Sequence, residues 1–368
     1  MNTKHVPKTI LPRRVSEDLR PPLECYGDVS DWLQRRFINV AWVEDLLLRM
    51  SQVLKMDADR HLLSEPRAFG RENHGISIIG PSRAGKTTLT LHVVERYLDE
   101  QFSGDHDDRG KRVVYYRVKG DATVKAMCLD ICALCGFPST PKQITRHDAQ
   151  ALAAHVLRRA NISVLIIDEV HNSLKRSNEP VDLMLKGLLQ DTHGLTVIAI
   201  GTERLGEYLR RPENNEVIGR FLEVSLVPFE HGSFCKVVMA ALKNYSDAVD
   251  LPLAADISDD PHFAARIITG CQRSHGLCMR LIASTVIYAH ENEFAAVSKS
   301  DFQHIYRIQF AHLEGSNPFE PEDFSALAVA PSAAAAKGSL LLSHLNQGTD
   351  TATALTKRRR QRTKKATG

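Results

Sequence analysis

The sequence predicts an α/β fold, a doubly wound parallel sheet followed by a small all-helical region, and three observations predict it. Residues 76–101 read as a short β-branched strand, a glycine-bearing loop and a helix. Residues 164–169, Val-Leu-Ile-Ile-Asp-Glu, read as a strand apolar on both faces that ends in two carboxylates. From about Pro228 the strand pattern stops and only helical spacing continues, to about residue 312.

The elements follow in order. Residues 1–27, rich in proline and charge, are expected to form a disordered arm. Trp32, Phe37, Val40, Leu47, Met50 and Leu54 lie at helical spacing, which predicts one or two helices packed beside the sheet domain. Strand 76–79 leads into the loop and a helix over 87–101, and residues 103–110 form a polar loop before a second strand, 113–118. A helix over 122–136 stops at Gly136, with Pro138 beyond as a stop signal, and another covers 147–160. The acidic strand, 162–167, precedes a helix over 181–190; strands 196–200 and 222–226 complete five. Strands alternating with helices require parallel pairing with helices on both faces. Helices over 231–248, 261–271, 277–292 and 299–312 make the second region. Beyond 314 the chain is Ala/Ser/Pro-rich and then basic, and disorder is expected. The expected division is therefore an arm (1–27), an α/β nucleotide domain with N-terminal helices (28–228), a helical lid (229–313) and a linker with a basic tail (314–368). There is no internal repeat.

A length of 368 residues, 43% of them hydrophobic, suffices for one large or two moderate domains. No apolar run approaches the roughly 20 residues of a membrane span. The N-terminus lacks an apolar core of signal-peptide length, so a cytoplasmic setting with no membrane partner is expected. There the seven cysteines read as thiols. Cys128, Cys132 and Cys135 have the spacing of an iron–sulfur motif, but the same spacing is one face of an apolar helix, which is the favoured reading. The net charge of +3 hides an asymmetry: Lys357, Arg358, Arg359, Arg360, Arg362, Lys364 and Lys365 carry seven positive charges with no acid between them, leaving −4 elsewhere. The body is thus not a generic basic binder of nucleic acid. Contact with duplex DNA must come from this tail, from a local patch in which Lys119, Lys125 and Arg146 are candidates, or from a patch repeated over subunits.

Two motifs carry chemistry. Gly80-Pro81-Ser82-Arg83-Ala84-Gly85-Lys86-Thr87-Thr88 fits the phosphate-binding pattern G-x-x-x-x-G-K-[ST]. Its glycines let the backbone aim several N–H groups at one phosphate chain, and the following helix adds the positive end of its dipole. Lys86 can reach the β- and γ-phosphates of ATP and the Thr87 hydroxyl can bind Mg²⁺. Asp168 emerges at a strand end, where open sheets place ligands, and is the second Mg²⁺ candidate. Glu169 is placed to orient and deprotonate an attacking water. Together the motifs imply ATP hydrolysis.

Five strands, a glutamate after the acidic aspartate and a helical lid resemble the AAA+ ATPases. Within them the chain resembles the TniB/TnsC family of transposition regulators, in Arg36-Phe-Ile38, Ile167-Asp-Glu-Val-His-Asn172, Ile198-Ala-Ile-Gly-Thr-Glu203, Gly219-Arg-Phe221, Val227-Pro-Phe229 and Gly276. The likeness covers roughly residues 30–312. It implies a protein that assembles with ATP on duplex DNA as a ring or filament of its own copies. Such a protein recruits or activates a transposase and is released by hydrolysis. Thr202 takes the place of the residue that contacts the γ-phosphate or the attacking water, with a strand-end cap as the alternative. Arg220 takes that of the arginine that reaches a neighbour's ATP, with Arg210 and Arg211 as rivals. Arg280 stands where a lid arginine senses nucleotide, although its spacing from Gly276 is one residue longer than in related initiators. His171 and Asn172 are candidates for coupling nucleotide state to a neighbour or to DNA. Two other functions fit the same motifs: a helicase loader or replication-initiator-like ATPase, and a non-hydrolysing nucleotide-switched scaffold.

Overall fold

A computed structural model describes residues 30, 32, 33, 41–56, 62–66, 73–97, 112–120, 122–137, 144–175, 180–192, 194–227, 231–310 and 317–322. The arm, the polar loop at 103–110 and the basic tail lie outside these residues.

After the helical residues 30, 32 and 33, helix α1 (Ala41–Val53) runs into strand β1 (Leu54–Met56). β1 pairs antiparallel with β2 (Leu62–Pro66) in a two-stranded sheet of its own. The helical spacing over Leu47, Met50 and Leu54 is real, but Leu54 already belongs to the strand.

The main sheet has five parallel strands: β3 (Gly75–Ile79), β4 (Arg112–Arg117), β5 (Ile162–Asp168), β6 (Thr196–Gly201) and β7 (Phe221–Ser225). Their spatial order is β4-β5-β6-β3-β7, so β6 stands between the strand that feeds the glycine loop and the acidic strand. Register alternation explains why β5 is apolar throughout. Val164 and Ile166 face one layer with α1 and α2 (Lys86–Tyr97). Leu165 and Ile167 face the other, formed by α3 (Val124–Leu134), α4 (Arg146–Arg159), α5 (Val181–Asp191) and α6 (Glu203–Leu209). A strand covered on both sides has no face to leave polar. Thr123 and Thr145 cap α3 and α4 by accepting from the backbone N–H of Ala126 and Asp148 at 3.2 Å each. Cys128 and Cys132 lie on the buried face of α3 and Cys135 is its buried C-cap residue. Burial pushes these thiols up to about 12, 11 and 12, which keeps them protonated core residues.

α7 (Asn215–Ile218) leads into β7, after which the chain is helical: α8 (His231–Ala248), α9 (Ala255–Ser258), α10 (Phe263–Gly270), α11 (His275–Glu291) and α12 (Lys299–Gln309). A reciprocal capping box between Ser298 and Asp301 starts α12. These helices enclose a separate apolar cluster that also takes in Trp32 and Leu33. Trp32 therefore packs on the helical region and not beside the sheet, contrary to the expectation from its spacing.

A second correction lies past α12. The disorder expected from 314 onward does not hold for residues 317–322, which form a strap docked on the helical region. Phe319 is fully buried, with its ring 5.3 Å from Phe302, 5.8 Å from Phe263 and 6.0 Å from Tyr306. The Arg266 guanidinium, 2% exposed, donates to the carbonyls of Pro318, Pro321 and Glu322 at 2.7–2.9 Å and pairs with Asp260 at 2.9 Å. A buried arginine needs several acceptors at once, and this short turn presents three carbonyls to it.

Candidate functional site

Because the strands are parallel, β3, β5 and β6 deliver their C-terminal ends to one edge. Ile79 is in register with Gly201, and the loop Gly80–Gly85 follows directly. Two loop residues adopt left-handed backbone, Arg83 at φ +64° and Gly85 at φ +94°; glycine suits the second. Gly80 is needed for a different reason than tight turning. A β-carbon there would lie 2.8 Å from Cβ of Leu226 and 2.9 Å from its carbonyl oxygen. Ser82, Arg83 and Thr88 are exposed, Ala84 is buried, and Pro81 is half-buried.

Lys86 is 7% exposed and donates to the carbonyls of Gly80 and Pro81 at 2.9 and 2.7 Å, so its ammonium lies within the loop. Burial lowers its proton affinity; Glu169, Glu203 and Asp168 partly oppose this. The next residue, Thr87, donates its hydroxyl to Oδ2 of Asp168 at 2.7 Å. Tyr115 of β4 donates to the same oxygen at 2.7 Å, and the Glu169 backbone N–H donates to Oδ1 at 2.8 Å. Burial and the Asp168 carboxylate push the Tyr115 phenol well above its ordinary range, so it is a donor at all working pH values.

Glu169 has φ +59°, a conformation that costs a non-glycine residue about 1–3 kcal/mol and clusters at functional sites. The turn aims its carboxylate back at His171, whose Nε2 lies 3.2 Å from Oε2. His171 thus touches the glutamate directly. Asn172 holds the same turn by donating its backbone N–H to the Glu169 carbonyl at 2.9 Å. Thr202, half-buried, is the N-cap residue of α6, but its side chain makes no capping hydrogen bond. The hydroxyl is therefore not used as a strand-end cap.

The helical region meets the loop through the start of α11. Ser274 donates its hydroxyl to the Arg83 carbonyl at 2.9 Å. A β-carbon on Gly276 would lie 2.2 Å from that carbonyl oxygen and 3.1 Å from the Gly85 nitrogen. His275, 7% exposed, packs edge-on to Trp42 and tilted to Phe234, at 5.8 Å each. Burial lowers its pKa to about 4, so it is neutral.

Other expected residues stand apart. Arg280 is exposed, with its guanidinium 5.9 Å from the Phe310 ring centroid, one helical turn beyond Gly276. Arg220 is 8% exposed, and its carbonyl accepts from Gly75 at 2.8 Å. That is the opposite end of β3 from the loop, about 16 Å away for five strand residues, so Arg220 does not serve its own chain's loop. Its rivals Arg210 and Arg211 are exposed; Arg210 pairs with Glu223 at 3.0 Å and Arg211 lies over the Tyr208 ring. Lys119 is exposed and pairs with Asp130 at 3.0 Å, Lys125 is half-buried, and Arg146 is exposed at the start of α4. Tyr115, Ser274 and His275 lie outside both sequence motifs. The only signal for Tyr115 was a hydroxyl-bearing residue near the end of the strand before the acidic one.

Residues 71–209 match the family model described as AAA domain. Among solved structures, the chain is similar to the Aeropyrum pernix Orc1 protein in complex with DNA, at 14% identity and a TM-score of 0.52, covering 76% of this chain and 68% of that one. It is also similar to Cdc6p from Pyrobaculum aerophilum (15% identity, TM-score 0.49, 73% and 68% covered). A third is the RuvB Holliday junction branch migration motor of Thermotoga maritima (14%, 0.40, 75% and 73%). A search of the curated proteins gives no match. The chain has the AAA+ P-loop fold, a five-stranded parallel sheet flanked by helices, with a helical C-terminal region. Among the described residues, no helix is long and apolar enough to cross a membrane.

Proposed function

We propose that this protein is an ATP-hydrolysing AAA+ protein that assembles with ATP on duplex DNA and regulates transposition by recruiting or activating a transposase. One observation carries the ATPase part: Lys86, Thr87, Asp168 and Glu169 converge on one sheet edge, with Thr87 and Asp168 oxygens 2.7 Å apart. Two hard oxygen donors on a rigid strand end and helix start fit Mg²⁺, and a loop of backbone N–H groups around a buried ammonium fits a triphosphate. Bound Mg·ATP would supply the phosphoryl group to be transferred and the charge that the loop neutralises. Lys86 would leave its loop carbonyls for phosphate oxygens, and Thr87 and Asp168 would hold the metal. Glu169 would accept a proton from water, with His171 steadying its carboxylate. The Thr202 hydroxyl, which does not cap α6, is assigned to orient that water. Arg220, remote from its own loop, is assigned to a neighbouring copy's site and must turn outward from its buried position to reach it. Arg280, one turn from the loop contact, is assigned to the lid's response to nucleotide. The tail residues Lys357–Lys365 are assigned to DNA phosphates.

The transposition part rests on the Ile167–Asn172, Ile198–Glu203 and Gly219–Phe221 sequence blocks. A second reading, an initiator-like ATPase or helicase loader, draws on the likeness to the DNA-bound Orc1 structure. ATP turnover with and without duplex DNA, and imaging with ATP on DNA, separate them. Rings or filaments on plain duplex, with DNA-stimulated turnover, support the first. Assembly only on a helicase supports the second. Glu169→Gln should keep ATP binding and lower turnover by about 10²–10⁴-fold. Equal turnover in that variant removes Glu169 from the chemistry, and a wild-type protein without turnover leaves a scaffold.

A further inference from the structure

We infer that Tyr115 is a positioning residue for the metal at this site: its hydroxyl selects which oxygen of Asp168 is offered to Mg²⁺. The inference rests on the Mg·ATP reading above and concerns a residue that neither sequence motif contains.

A carboxylate has about four lone-pair positions, two on each oxygen. At Asp168, Oδ2 accepts from both Thr87 and Tyr115, each at 2.7 Å, so both of its positions are occupied. Among the described residues, Oδ1 accepts only the Glu169 backbone N–H, at 2.8 Å, and keeps one position. The side chain is 2% exposed, so bulk water does not compete for it. When Thr87 gives an oxygen lone pair to a metal it can still donate its proton to Oδ2. Tyr115 then keeps Oδ2 closed on its other side, and Oδ1 is left as the acceptor for the metal's coordinated water. The phenol is well suited to this. It is rigidly mounted on β4, in register with β5 so that Arg117 pairs with Asp168. Its hydroxyl also approaches from the strand next to the acidic one, the side away from the glycine loop, because the order is β4-β5-β6-β3. With Tyr115 removed, Oδ2 regains an open position and the carboxylate can present either oxygen.

The test titrates Mg²⁺ into the full-length protein with a fluorescent ATP analogue, comparing wild type and Tyr115→Phe, which keeps the ring and loses only the hydroxyl. The expected result is a rise of about three- to tenfold in the Mg²⁺ concentration needed to tighten analogue binding, with affinity in EDTA unchanged. In an Asp168→Asn background the same substitution should produce no further shift. An unchanged Mg²⁺ requirement overturns the inference. So does an equal loss of affinity with and without Mg²⁺, or a full shift in the Asp168→Asn background, since each describes a structural hydroxyl only. A wild-type protein that binds no analogue refutes the nucleotide reading itself, and a wild type that binds with an affinity indifferent to Mg²⁺ refutes its metal half.

Discussion

Removing the Phe319 ring tests whether the strap at 317–322 is part of the folded body. Phe319 is fully buried among Phe263, Phe302 and Tyr306, and such a Phe→Ala change costs about 3–5 kcal/mol when the surroundings cannot collapse. Here the loss has a ceiling. If the strap lets go, water reaches the Arg266 guanidinium and replaces the carbonyls of Pro318, Pro321 and Glu322. The lower end, about 3 kcal/mol, is therefore the expected cost of Phe319→Ala. For a chain of 368 residues, with about 2.1 cal/mol/K of unfolding entropy per residue, that corresponds to a fall in Tm of about 4 °C. Thermal melts of Phe319→Ala and of two truncations measure it. Ending the chain after 322 should leave the melt of the helical region in place, whereas ending it after 316 should lower it about as much as Phe319→Ala. A truncation after 316 that melts like the intact chain refutes the reasoning, because the strap would then contribute nothing to the core it touches.

Two further outcomes are expected. Gly276→Ala forces a β-carbon to within 2.2 Å of the Arg83 carbonyl oxygen, and the three nearest atoms are all backbone. It should lower the urea midpoint by an amount equivalent to about 1–3 kcal/mol, and an unchanged midpoint would mean that α11 does not sit on the loop. His275 has its pKa lowered by burial to about 4, against 6.5 for the free side chain. Between those values the unfolded chain takes up a proton that the folded chain refuses, so stability is lost as pH falls. At pH 5 this amounts to about 2 kcal/mol. His275→Phe should flatten the difference in unfolding free energy between pH 7 and pH 5 by about that amount; a parallel pH profile would show that the imidazole is not held neutral.

The sheet was legible because its strands are covered on both faces. Runs such as Val164–Ile167 and Val197–Ile200 have no polar position to blur them, and their observed ends fall within one or two residues of the expected ones. Helix α8 spans His231–Ala248 as expected, because eighteen residues give its periodicity room to show. The short antiparallel pair β1–β2 was missed. Leu54–Met56 continues a helical pattern without a break, and only pairing with Leu62–Pro66 turns it into a strand. The strap was missed because Asn-Pro-Phe-Glu-Pro-Glu has the composition of a loop, and its one apolar ring meets its partners only after α10 and α12 have packed. Trp32 was placed against the wrong layer because spacing says which residues share a face, not which neighbour that face meets.

For the site, the division follows chain separation. Gly80–Thr88 and Asp168–Glu169 are each contiguous, and phosphate and metal chemistry asks for those residue types in that order; the sequence by itself determined the glycine loop, the acidic pair and the sheet that carries them. Tyr115 is 53 residues from the carboxylate it binds, and Ser274 is 191 from the carbonyl it holds. No local rule links such pairs. The strand order, with β6 between the loop strand and the acidic strand, and the docking of α11 on the loop bring them together. The tertiary structure also decided that Arg220 lies at the far end of the sheet from its own loop. Local sequence favours a conformation, but only the packing of distant elements sets what a side chain can reach.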